Sequence, residues 1–156
     1  MKQIANFINE RLHVTTKSHL YSCKPNTWDE LQEIIIQRIN DDGNECDLND
    51  IDVSKIDDMS YMFCVSGNKI FENFNGDISR WDVSNVENMD TMFYGCKKFN
   101  CDISRWDVSN VKYIQYMFKR CTNFKQNIDD WNVSNVENME DAFKACHTKP
   151  KWYKYK

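Results

Sequence analysis

The sequence predicts an α/β repeat solenoid, in which short parallel strands, each followed by a short helix, stack behind an N-terminal helical cap. Three observations carry that prediction. A segment recurs every 25 residues, its apolar spacing changes from two to three or four halfway along, and a serine stands where a helix would begin. Gly76 to Met92 reads GDISRWDVSNVENMDTM, Cys101 to Met117 reads CDISRWDVSNVKYIQYM, and Gln126 to Ala142 reads QNIDDWNVSNVENMEDA. Trp81, Trp106 and Trp131 fall in register, as do Val83, Val108 and Val133, and Phe93, Phe118 and Phe143.

Residues 1–45 hold no copy of the repeat and read as the cap. Ile4, Phe7, Ile8 and Leu12 form a weak amphipathic stretch. Thr27-Trp28-Asp29-Glu30 then offers a capping box, and Leu31, Ile35 and Ile39 follow at helical spacing until Asp42-Gly43 ends the run. A terminal repeat needs its apolar face covered, so helices here serve the stack that follows.

Residues 46–146 hold four units. The first is degenerate: Cys46 to Ser54, CDLNDIDVS, matches Cys101 to Ser109, with Ile51 in the tryptophan place. Between Phe63 and Phe74 sit five more residues than between Phe93 and Phe99, which lengthens the loop from Cys64 to Asn73 and offers Ile70 and Phe71 as a contact knob or a tucked loop. Within a unit, Trp106 and Val108 point to one side of a strand and Asp107 to the other. Ser84-x-x-Glu87 and Ser134-x-x-Glu137 read as capping boxes for the helices, Ser54-x-x-Asp57 is a weaker acidic version, and Lys112 breaks the pattern in the third unit. One unit cannot bury its Trp, Val, Met and Phe alone, whereas stacked neighbours share a continuous core. Cys96, Cys121 and Cys146 then form a column of small buried thiols, with no CxxC or His-x-His spacing to support zinc.

The unit F-N-x-D-I-S-x-W-D-V-S-N-V-x-x-M-x-x-M-F resembles the BspA-like leucine-rich repeat family of bacterial surface proteins and lipoproteins. The resemblance covers Cys46 to about Cys146 and rests on Ile78, Trp81, Asp82, Val83, Ser84, Asn85, Val86, Met89 and Phe93 with their 25-residue counterparts. It implies a leucine-rich-repeat solenoid that binds other molecules, often in adhesion, and it brings no catalytic residues. The polar Asn6, Asn9, Glu10 and Arg11 interrupt any secretory apolar run near the start, and no lipid-attachment cysteine or wall-anchoring tail is visible, so the expected location is cytoplasmic.

Composition narrows the function classes. The chain has 156 residues, 41% of them hydrophobic, enough to build a core. No apolar run approaches the roughly 18 residues that a membrane span needs. Seven cysteines without an export signal read as free thiols. Three histidines lie outside the repeat strands, four glycines make no phosphate-cradling loop, and carboxylates repeat in every unit as a structural rhythm, so the reading is a non-enzyme with no cofactor and no metal site.

Candidate contact residues are those that alternate with the buried Trp and Val. One column is Asp50, Arg80, Arg105 and Asp130; the other is Asp52, Asp82, Asp107 and Asn132. They present a polar strip to a protein partner, with arginine favoured at such contacts. Residues 147–156 hold four lysines and no acid, against 16 basic and 24 acidic residues in the rest of the chain. Lys151, Trp152, Tyr153 and Lys154 are therefore tail candidates, either for stacking on bases and meeting phosphates or, with Tyr153 standing 25 residues after Ile128, for a closing strand. The leading expectation is a protein-binding repeat module. The alternatives are a phage- or mobile-element-encoded inhibitor of a host nuclease or immune complex, whose acidic strip would occupy a basic channel, then a surface adhesin, and then direct nucleic-acid binding through the tail. Periodicity leaves the oligomeric state open.

Overall fold

The computed structural model describes residues 22–154. The stretch from Ile4 to Leu12, and with it His13 and His19, lies outside the described residues.

Among the described residues an α-helix, α1 (Trp28–Asp42), forms where the capping residues place it. The Thr27 hydroxyl accepts the Glu30 N–H at 3.2 Å, and the Glu30 carboxylate accepts the Asn26 N–H at 2.8 Å. At the far end Gly43 takes φ 87° and donates its N–H to the Ile39 carbonyl, a conformation that glycine adopts without Cβ strain. Leu31, Ile34, Ile35 and Ile39 are the buried stripe. A 3₁₀ turn, Lys69–Asn73, tucks Phe71 into the core from the long loop.

The rest differs from the predicted α/β solenoid. Among the described residues the repeats contain no sheet and no helix of their own; neighbouring units meet through isolated parallel bridges such as Asp58↔Asn88, Asn88↔Tyr113 and Tyr113↔Asn138. The reason is where the backbone hydrogen bonds go. Inside a unit, N–H groups return three residues to close successive tight turns: Trp106 to Ile103, Val111 to Val108, Met117 to Ile114, Cys121 to Phe118. Between those turns, alternate N–H groups cross to the next unit. Met89, Thr91, Phe93 and Gly95 donate to the carbonyls of Tyr113, Gln115, Met117 and Lys119, and Ile114, Tyr116, Phe118 and Arg120 repeat this onto Asn138, Glu140, Ala142 and Lys144. Neither a strand ladder nor an i to i−4 helix survives such a division.

The predicted serine caps also take another role. Ser84 donates its N–H at 3.1 Å and its hydroxyl at 2.6 Å to Asp82 Oδ1, and the Ser109 N–H is held by Asp107 Oδ1 at 3.0 Å, so aspartate closes a turn on serine and no helix starts. Left-handed residues at Thr91, Tyr116 and Asp141 (φ 62°, 55° and 51°) then stop any helix within a turn.

The apolar columns stack in the register the sequence gives them. Phe63, Phe93, Phe118 and Phe143 lie 5.2 to 5.5 Å apart centroid to centroid, and Phe74, Phe99 and Phe124 make a second column at about 6 Å. Rungs of 4.1 to 4.4 Å join the two within each unit. Each indole N–H reaches back to a main-chain carbonyl: Trp81 to Leu48, Trp106 to Ile78, Trp131 to Ile103. Burial pushes the Cys96 and Cys121 thiols up, and they donate to the carbonyls of Phe63 and Phe93.

Candidate functional site

The outward residues flanking each buried Trp and Val are the first candidates. Arg80, Asp82, Arg105, Asp107, Asp130 and Asn132 are exposed while Trp81, Val83, Trp106, Val108 and Trp131 between them are buried, so the alternation holds locally without a strand. Aspartate is pinned by the turn it closes. The Ser109 hydroxyl and N–H hold the Asp107 carboxylate below its usual range, and Asn132 accepts the Ser134 N–H at 3.2 Å in the same way. Arg80 is placed by its backbone N–H, which donates to Asn49 Oδ1 at 2.7 Å, while its guanidinium lies 3.9 Å from Asp47. The first unit departs from the strip. Asp50 is ion-paired to Arg38 on α1 and bonded by Ser22, and Asp52, beside Lys24 at 3.4 Å, is half-buried. Despite burial, the Ser54 hydroxyl and N–H and Lys24 hold the Asp52 carboxyl below its usual range.

A second carboxylate row runs beside the first. Asp47, Asp77 and Asp102 occupy equivalent places, are exposed, and close turns of the same kind on Asn49, Ser79 and Ser104.

The tail candidates close the stack. Trp152, only 21 residues after Trp131, lies over it at 6.4 Å and sends its indole N–H to the Ile128 carbonyl at 2.8 Å, repeating the bond of the other tryptophans. Tyr153 meets Phe143 edge-on at 5.0 Å, and Lys151 is paired with Asp129 at 2.8 Å, whereas Lys154 is exposed. The closing register therefore falls on Trp152 in the tryptophan column, and Tyr153 begins no strand.

Reading by residue missed a polar groove of about 560 Å³, where Asn75 Oδ1 accepts the Asn100 N–H and Asn100 Oδ1 accepts the Lys125 N–H, both at 2.8 Å. Its signal was present as the asparagine that follows each phenylalanine at 25-residue spacing in Phe74-Asn75 and Phe99-Asn100. Among the described residues no group of three or more His, Cys, Asp or Glu is placed to hold a metal, and no helix is long and apolar enough to cross a membrane.

Stacked turns, aspartate-closed corners and a tryptophan column together span almost the whole of a family match over residues 32–153. The chain belongs to the family described as "Mycoplasma protein of unknown function, DUF285". This corrects the expected membership of the BspA-like leucine-rich repeat family: the match is to DUF285, and the strand on which a leucine-rich repeat is built is replaced by chained turns. The DUF285 match begins inside α1 and ends at Tyr153, so most of the helix, the repeats and the closing tryptophan fall within one stretch of family sequence. No curated protein and no solved structure matches the chain.

Proposed function

We propose that this DUF285 chain is a non-enzymatic binding module that engages a protein partner through the strip Arg80, Asp82, Arg105, Asp107, Asp130 and Asn132. The observation that carries the reading is the pre-ordering of that strip. Its exposed side chains alternate with tryptophans and valines buried in a continuous core, and Asp82, Asp107 and Asn132 are fixed by their own turns. Groups already fixed before association lose little freedom on binding, and arginine beside carboxylate gives a partner both charge and directed hydrogen bonds. A double Arg80→Glu/Arg105→Glu variant, compared with the parent in pull-downs from lysate, is expected to lose the bound protein while keeping the same circular dichroism and melting temperature. A partner retained at parental levels sinks the assignment.

A second reading draws on the paired carboxylate rows Asp47, Asp77, Asp102 and Asp82, Asp107. The stacked phenylalanine rings of neighbouring units stand 5.2 to 5.5 Å apart, so the rows offer a dense line of negative charge suited to the basic channel of a nucleic-acid-binding protein. Raising salt from 50 to 500 mM decides between the two: an acidic decoy is expected to dissociate and to compete with DNA or RNA, whereas a partner held by packed contacts persists.

A further inference from the structure

Each unit donates a row of alternate backbone N–H groups to the carbonyls of the unit that follows, and among the described residues no unit follows the last. Met139, Asp141, Phe143 and Ala145 stand where Ile114, Tyr116, Phe118 and Arg120 stand one unit earlier, yet their N–H groups make no hydrogen bond among the described residues. A shallow cavity of about 530 Å³ opens at this edge, lined by Val136, Met139 and Trp152 beside the carboxylates of Glu137, Glu140 and Asp141, with Lys154 also on its wall.

The opposite end is closed. There the carbonyls of Ser60 and Met62, which have no unit before them, accept the Trp28 indole N–H at 2.9 Å and the Gln32 amide at 3.1 Å, both from α1. Side chains of the helix thus supply the donors that a preceding unit would have given.

We infer that the last unit's edge is a docking site for an extended segment of a protein partner, one that presents alternate carbonyls to Met139, Asp141, Phe143 and Ala145 and carries lysine or arginine toward Glu137 and Glu140. Unpaired main-chain donors in a row are the element that strand-addition recognition uses, with side-chain pockets giving selectivity. A second copy is the poorer fit, because its complementary carbonyl row lies under its own α1. Charge favours a basic segment: the Glu137 and Glu140 carboxylates accept the Tyr113 and Tyr116 hydroxyls, at 3.2 and 3.1 Å, and among the described residues no cation lies within ion-pair distance of either, Lys112 acting on Glu137 from beyond it while paired with Glu87 at 2.7 Å. This site is separate from the Arg80 strip and stands or falls without it.

The test is amide hydrogen exchange by NMR on the whole chain. In the free protein the amides of Met139, Asp141, Phe143 and Ala145 are expected to exchange much faster than those of Met89, Thr91, Phe93 and Gly95. Addition of the synthetic octapeptide Val-Lys-Val-Lys-Val-Lys-Val-Lys should then slow the four edge amides at least tenfold and shift their resonances, leaving the earlier rows unchanged. The octapeptide with glutamate in place of lysine should bind at least tenfold more weakly, and Glu137→Lys/Glu140→Lys should reverse that order. Edge amides already protected in the free monomer, protection that rises with protein concentration alone, equal binding of both peptides, or no response at millimolar peptide each overturn the proposal.

Discussion

Phe93 touches four rings: Phe63 at 5.3 Å, Phe99 at 4.1 Å, Phe118 at 5.5 Å and Trp106 at 6.3 Å, with no solvent exposure. Stacked aromatic pairs contribute about 0.5–1.5 kcal/mol each beyond the area they bury, and a ring shared by four neighbours leaves a void that none of them can fill by a rotamer change. Phe93→Ala is therefore expected to cost about 3–5 kcal/mol in chemical denaturation, in the range of large core truncations. A loss under about 1 kcal/mol would show that the columns slide to close the gap. Core membership at this scale is legible in sequence, because a 25-residue period puts Trp, Val, Phe and Cys in columns whatever the backbone between them does. The roles of polar residues are less so. Asp107-Val108-Ser109 is equally compatible with serine capping a helix and with aspartate closing a turn on serine, and only the backbone direction after Ser109 separates the two.

Elements are where sequence reasoning failed, and the cause is a shared period. Apolar residues three apart, as in Val108, Val111, Ile114 and Met117, mark a helix face, yet turns chained through i to i−3 bonds give the same spacing. Helix α1 was legible because Thr27 and Gly43 bracket an uninterrupted apolar stripe; the repeats carry no such punctuation, only left-handed positions, one in the first unit and two in each of the other three. At the second of these, Gly95, Arg120 and Ala145 take φ 79°, 65° and 59° in equivalent places. A non-glycine residue there costs about 1–2 kcal/mol, while glycine's extra freedom in the unfolded chain costs about 0.5–1 kcal/mol. Ala145→Gly is thus expected to raise stability by about 0.5 kcal/mol. Gly95→Ala should lower it by more than the conformational cost alone, since the new Cβ meets the Val65 Cβ at 3.2 Å. Paired melting curves check both, and a stabilising Gly95→Ala would refute the left-handed assignment.

At the scale of the whole molecule the aspartate-closed corner recurs through the first three units, and it makes stability a function of pH. Serine hydroxyls and N–H groups hold the carboxyls of Asp102 and Asp107 below the usual aspartate range; Lys151 does so for Asp129, and Lys144 with Lys119 for Asp141. At Asp77 desolvation works the other way but is outweighed by the Ser79 N–H, the Asn49 amide, the Ser79 hydroxyl and Cys101. A carboxyl whose folded pKa lies below its unfolded value, near 3.9, contributes stability that is present above that value and lost as pH falls through the folded one. Asp90 has the opposite sign, raised by burial, so its penalty disappears in acid; it is one group against seven held low, Asp52 and Glu72 among them. The urea midpoint is therefore expected to stay level from pH 7 to about 5 and to fall progressively below about pH 4. Asn132 shows that an amide closes the same corner on Ser134, so Asp107→Asn should keep the fold at pH 7 while making the acid slope shallower. A midpoint indifferent to acid would mean that the corners are held by the stacked rings alone, with the carboxylates contributing nothing that water does not replace.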